Sequence, residues 1–248
     1  MTSILEDIFA ESSRLLEEVA RQRLTVRVLG GLAVRIHTDG VVPASLTRTY
    51  RDIDLVTPSG QGTPLSRFLV EMGYEPNERF NTWNETRLIF DDVPNERQVD
   101  VFVGDFRMCH RISLTERNEL ESQTVPLAEL LLTKLQVVRL TDKDLVDIYA
   151  LFYAHEVGEV DEETINAGQV ARLCAADWGL WRTTTKTLEE AREHLAQSAL
   201  ATSERTRIEE RIDHLRDRIE AESKSLRWKA RDRIGERARW YEEPEEIE

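Results

Sequence analysis

Apolar residues recur at helical spacing from the start of the chain. Ile4, Leu5, Ile8, Phe9, Leu15, Leu16 and Val19 share one face, which predicts an amphipathic helix over residues 3–22. The period then changes. Residues 25–29 (TVRVL) read as a short strand, Gly30-Gly31 breaks it, and residues 32–36 open a second helix. Another strand follows over residues 52–57 (DIDLVT), closed by Pro58, Gly60 and Gly62. A helix over residues 64–72 leads through Gly73 to strands over 87–90 and 98–103, and the turn between those two, with Pro94 and Asn95, predicts a hairpin.

Beyond Pro126 the strand signals vanish, and residues 127–140, 142–155 and 162–175 read as three helices. From Thr187 to about Tyr241 the chain is charged, helix-forming and free of proline until Pro244. Within it Ile208, Ile212, Leu215 and Ile219 follow 4-3-4 spacing, Glu222 breaks the seam and Leu226 resumes it. Such a seam belongs to a long helix or helical hairpin, packed within the chain or against a second copy as a homodimer. The expected fold is α+β: a mixed sheet with flanking helices over residues 1–125, then an all-helical half over 126–248. No Gly/Ser-rich linker separates the halves, so they are expected to pack closely.

Composition narrows the function classes. The 248 residues are 40% hydrophobic, enough for a sizeable core, and the net charge is −14, from 47 Asp plus Glu against 33 Lys plus Arg. That balance argues against coating nucleic acid or anionic membrane through bulk charge, so any such contact must be local. One local exception exists: residues 224–239 hold seven basic and two acidic side chains, with Trp228 among them and Trp240 just beyond, either a solvated helix face or a seat for an RNA backbone. The only cysteines, Cys109 and Cys174, form no disulfide framework or zinc pattern. No apolar run approaches about 18 residues, and the acidic start with Glu6 and Asp7 is unlike a signal peptide. A cytoplasmic protein with no membrane association is the expectation.

Chemistry concentrates in three pieces. Gly30-Gly31 sits at a strand-to-helix turn, Asp52 and Asp54 alternate along one strand, and Asp100 lies within the later strand VDVFV. Alternate residues share a face, so Asp52 and Asp54 point together and Asp100 on a neighbouring strand completes a three-carboxylate cluster. Clustered carboxylates repel unless cations hold them, and an oxygen-only donor set suits Mg²⁺, which keeps water and substrate phosphate as further ligands. The glycines are either a plain tight turn or a place where backbone N–H groups meet phosphate. Arg48 and Arg51 flank the acidic strand, as surface cations or as phosphate contacts.

In that order the pieces resemble the nucleotidyltransferase fold of the DNA polymerase β superfamily, and VLGGLAVRIHT followed by RTYRDIDLV is similar to its AbiEii-like and MenT-like subgroup. The stretch LLLTKLQVVRLTDKDLVDIYAL, with Lys134, Arg139, Lys143, Asp144 and Asp147, corresponds to that subgroup's downstream lysine helix and basic-Asp-Leu-x-Asp segment. The resemblance covers roughly residues 24–155. It departs from the pattern at Gly31, where a phosphate-binding Ser is common, and in the long gap from Gly31 to Asp52.

The resemblance implies transfer of a nucleoside monophosphate from a nucleoside triphosphate to an acceptor hydroxyl, with two Mg²⁺ ions held by Asp52, Asp54 and Asp100. It gives Gly30, Gly31 and Lys134 the role of holding the triphosphate. On their own, the residues leave Lys134 equally a snorkelling core lysine, and Lys143, Asp144 and Asp147 read as local helix ion pairs. The acceptor implied is tRNA or another RNA, or, as an alternative, a small antibiotic-type molecule; a non-catalytic nucleotide-binding or toxin–antitoxin interaction protein is the competing class. The five scattered histidines, the 59–66 loop without a Gly-Lys-Ser/Thr ending, and Cys109-His110 carry no catalytic pattern.

Overall fold

A computed structural model describes residues 4–114, 117, 120, 121 and 123–243. Residues 244–248 of the acidic end and the first residue of the predicted N-terminal helix lie outside them. Helix α1 (Ile8–Arg21) begins where Asp7 accepts the Ala10 N–H, and it buries Leu15 and Val19 of the apolar face read from the sequence. Strand β1 (Arg27–Leu29) runs directly into α2 (Gly30–Thr38). Then come β2 (Ile53–Thr57), α3 (Gly62–Glu71), β3 (Glu75–Pro76), α4 (Glu78–Trp83), β4 (Arg87–Asp92) and β5 (Arg97–Val103).

These strands make one mixed sheet in the order β1-β2-β5-β4-β3, in which β2 and β5 are parallel and the other pairs antiparallel. The 94–95 turn joins β4 and β5 as the predicted hairpin, with Glu96 in the left-handed region. A short hairpin of β6 (Asp105–Arg107) and β7 (Arg111–Ser113) follows.

The second half is not wholly helical. Between α5 (Leu127–Leu135), α6 (Asp142–Ala154) and α7 (Ala167–Ala176) lies a parallel pair, β8 (Glu156–Gly158) and β9 (Thr164–Asn166). The helix expected over 162–175 therefore starts later, at an Asn166 cap that accepts the Gln169 N–H. Likewise α5 stops at Leu135, short of the expected residue 140.

Helices α8 (Trp178–Leu195), α9 (Thr202–Ala221) and α10 (Leu226–Ile234) complete the chain. The α9 seam of Ile208, Ile212, Leu215 and Ile219 is fully buried against α6, α7 and α8. Each such side chain removed from water is worth about 1.5–3 kcal/mol, so the seam is consumed inside the chain. One continuous apolar cluster runs from the sheet through α2, α5 and α6 into these helices. Among the described residues no helix is long and apolar enough to cross a membrane.

Candidate functional site

The site lies on the exposed ends of β2 and β5, above the turn from β1 into α2. In β2 every residue but Asp54 is buried, and in the first half of β5 the partly exposed positions are Gln98 and Asp100. The parallel register pairs Asp54 directly with Asp100, while the antiparallel register of β1 sets Leu29 opposite Asp54. Two carboxylates are thus side by side on one face, next to the residue that begins α2. Asp52 stands just ahead of β2 and is exposed, not within a strand as its sequence pattern suggested.

Each glycine makes room for one charged side chain. Gly30 has φ +67°, and a Cβ there would stand 1.9 Å from Asp54 Oδ2. Gly31 would bring a Cβ to 2.2 Å from Arg48 Nη2 and 3.0 Å from the Tyr50 ring. No side chain caps α2, so its first N–H groups are open to an anion arriving beside Arg48.

Negative charge crowds the Asp54 carboxyl. Burial pushes the Asp54 carboxyl up to about 7, the Asp100 charge adds to the rise, Lys134 pulls against it, and Asp52 and Arg87 contribute less. Among the described residues no donor hydrogen-bonds the Asp54 carboxylate. Asp52 is also raised, by desolvation first and then by Asp100, with Lys143, Arg48 and Arg51 opposing; its exposure to water tempers that shift.

Asp100 has a partner that the sequence reading did not foresee. Arg87 on β4 grips it with Nε–Oδ1 at 3.0 Å and Nη2–Oδ2 at 2.7 Å. The guanidinium is itself held between the Phe80 and Phe102 rings, at 5.7 and 5.5 Å. Among the described residues no three His, Cys, Asp or Glu side chains already converge on one point; with Arg87 forked across both Asp100 oxygens, the triad is not gathered. The donor set still fits a hard divalent ion, because it is oxygen-only, carries excess negative charge and includes one unpartnered carboxylate.

Lys134, on α5, gives its ammonium to Asp147 Oδ2 at 2.9 Å. Asp147, fully buried on α6, also receives Arg48 in a two-pronged contact, both N–O distances 2.8 Å. Asp147 is therefore no local helix ion pair: it joins α6 to α5 and to the segment before β2. Asp144 does act locally, closing a capping box with Thr141 at the start of α6. Arg51 is exposed beside a cleft of about 600 Å³ lined by Tyr50, Asn95 and Glu96.

A smaller groove of about 200 Å³ opens at Arg87, lined also by Asn84, Thr86, Arg107, Glu242 and Glu243. Arg87 was missed in the sequence, and Asp147 was read as a local ion pair, because their partners lie on other elements. The alternation of ETRLIF against VDVFV would have set Arg87 near Asp100 had the hairpin register been worked out.

No protein-family model matches the chain, and no curated protein matches it. Among solved structures, the chain is similar to the lincomycin-bound lincosamide antibiotic adenylyltransferase LnuA, at 17% identity and a TM-score of 0.44, over 60% of this chain and 98% of that one.

Proposed function

We propose that the chain is a nucleotidyltransferase that moves a nucleoside monophosphate from a nucleoside triphosphate to an acceptor hydroxyl. The observation that carries this reading is the pairing of Asp54 with Asp100 on parallel neighbours, above a strand-to-helix turn whose two glycines leave space for charge. Asp52 and Asp54 would hold a divalent ion, joined by Asp100 once Arg87 releases it. Such an ion, when bound, offsets negative charge that develops on the phosphate oxygens.

The chain's own groups do the rest. The uncapped N–H groups of α2 and the Arg48 guanidinium bind and orient the triphosphate. Lys134, anchored on Asp147, keeps a positive charge near Asp54. In the reaction the acceptor oxygen bonds to the α-phosphorus, the bond from that phosphorus to the bridging oxygen breaks, and pyrophosphate leaves. The acceptor proton passes to a carboxylate, for which Asp100 stands nearest the Arg87 groove.

Two acceptor classes follow from two observations. The cationic stretch 224–239 favours an RNA end, whereas the small groove at Arg87 suits a compact polar molecule. The test is incubation of the full chain with Mg²⁺ and each α-³²P-labelled triphosphate, with total RNA in one arm and a panel of hydroxyl-bearing small molecules in the other. Label should enter one of the two and be lost in Asp54→Asn. No labelled product and no triphosphate binding by calorimetry would leave the non-catalytic class standing.

A further inference from the structure

The cations of residues 224–239 are not a uniformly solvated face. Helix α10 is pinned by Trp228, whose indole N–H donates to Cys174 O at 3.2 Å and whose ring lies 4.9 Å from that of Trp181. Both acids of the stretch are exposed but engaged by side chains of α8. Asp232 accepts the Trp178 indole N–H at 2.7 Å, and Glu236 is bound by Arg182. Three cations are likewise engaged: Lys224 caps the end of α9, Arg231 lies 4.2 Å over the Trp178 ring, and Arg239 donates to Tyr241 O. What is left facing outward, without a carboxylate partner among the described residues, is Arg227, Lys229, Arg233 and Arg237.

This arrangement leads somewhere. After α10 the chain passes as a strap to the mouth of the candidate site. Trp240 donates to Thr183 Oγ1 at 3.1 Å, the Glu242 N–H bonds Cys109 O at 3.0 Å, and a Cβ on Gly179 would stand 2.4 Å from Trp240 O, so the strap lies tight against α8. Its Glu242 and Glu243 line the groove shared with Arg87, the partner of Asp100.

We propose that the outer face of α10, with Arg237, is a docking track for a single RNA strand whose end is delivered to the Arg87 groove. Four unpaired cations in an otherwise acidic chain suit a run of phosphates. At the groove Glu242 and Glu243 stand among Arg87 and Arg107, and a terminal ribose, whose hydroxyls donate to carboxylates, is what fits there. Leu226 and Ile234 are exposed on the same helix, but two aliphatic side chains on a nine-residue helix bury too little area to hold a bilayer. Only the meaning of the track's end rests on the transferase reading; binding along it does not.

The experiment is fluorescence anisotropy of a labelled single-stranded RNA with the full chain, as a function of salt. The triple variant Arg227→Gln/Lys229→Gln/Arg233→Gln should bind about tenfold or more weakly at low salt, and its slope of log K against log[salt] should fall by about two, since each single-strand phosphate contact contributes roughly 0.7. Arg237→Gln alone, on the strap side, should lower the slope by less than one. Asp54→Asn should bind RNA as the unaltered chain does while losing transfer, which separates failure of the track from failure of the transferase reading. Unchanged affinity and slope in the triple variant would overturn the proposal. So would binding of the unaltered chain to phosphatidylserine vesicles and not to RNA.

Discussion

Gly30 lies directly under the Asp54 carboxylate, with its hypothetical Cβ 1.9 Å from Oδ2 and its φ at +67°. The β1–β2 register explains the contact, since Leu29 is opposite Asp54 and the next residue turns upward into α2. Gly30→Ala combines a backbone conformation that costs about 1 kcal/mol or more for an L side chain with a clash against the Asp54 carboxylate. Urea unfolding should show a loss of about 2 kcal/mol or more, and triphosphate affinity by calorimetry should fall with it. Gly40, also at positive φ but with open space around it, is the control: Gly40→Ala should cost only the backbone part.

Asp54 carries its proton to about pH 7 in the folded chain, whereas its ordinary value is 3.8. Between those values the folded state holds more protons than the unfolded state, so this group's effect is to lower stability progressively as pH rises from about 4 to 7, with no further loss above 7. Asp54→Asn removes that loss. In EDTA its stability should match that of the unaltered chain near pH 4, exceed it increasingly up to about pH 7 and by a constant margin above, at most about 4 kcal/mol and less because the Asp54 side chain is partly exposed. Added Mg²⁺ should then raise the Tm of the unaltered chain at pH 8 and leave Asp54→Asn unmoved. A constant difference between the two proteins across the pH range would count against a proton-holding Asp54.

Arg87 and Asp100 face each other from adjacent strands, both side chains only 12–13% exposed. Removing the cation alone leaves a shielded carboxylate without a partner, which costs more than an exposed ion pair would. Arg87→Met, which retains length and apolar contact with Phe80 and Phe102, should lower stability by about 1–3 kcal/mol in EDTA. The same change frees both Asp100 oxygens, so Mn²⁺ affinity measured by electron paramagnetic resonance should increase severalfold. Unchanged Mn²⁺ affinity would mean that Asp100 is a structural partner of Arg87 and no ligand.

The legible parts of the chain were those with a local signature. The alternation in DIDLVT and VDVFV placed the two facing acids on neighbouring strands, and Pro94-Asn95 marked the hairpin. The Gly-Gly break was visible too, but its reason was not, because the atoms that need the space belong to Asp54 and Arg48. Long-range partner choice has no local code: Arg48 and Asp147 are separated by 99 positions, and Asp147 in a helix of mixed charge looks like any other surface acid. The β8–β9 pair was missed because three-residue strands are too short to show a two-residue period against the helix-like pattern around them.

Asp147 is the acid on which two candidate substrate-binding cations depend. Its side chain is fully buried and takes Arg48 at 2.8 Å on both oxygens and Lys134 at 2.9 Å. With Asp147→Asn the shape is kept and the charge lost, so two cations face one another with no anion between them. Because Arg48 and Lys134 are 20% and 13% exposed, water relieves part of that repulsion, and the expected destabilisation is about 2–4 kcal/mol rather than the upper range for a sealed pair. Triphosphate supplies negative charge to both cations, so it should stabilise Asp147→Asn more, in Tm, than it stabilises the unaltered chain, even where its affinity falls because Arg48 is no longer held. An Asp147→Asn protein whose Tm does not respond to triphosphate would show that Arg48 and Lys134 serve only the packing of α5, α6 and the segment before β2.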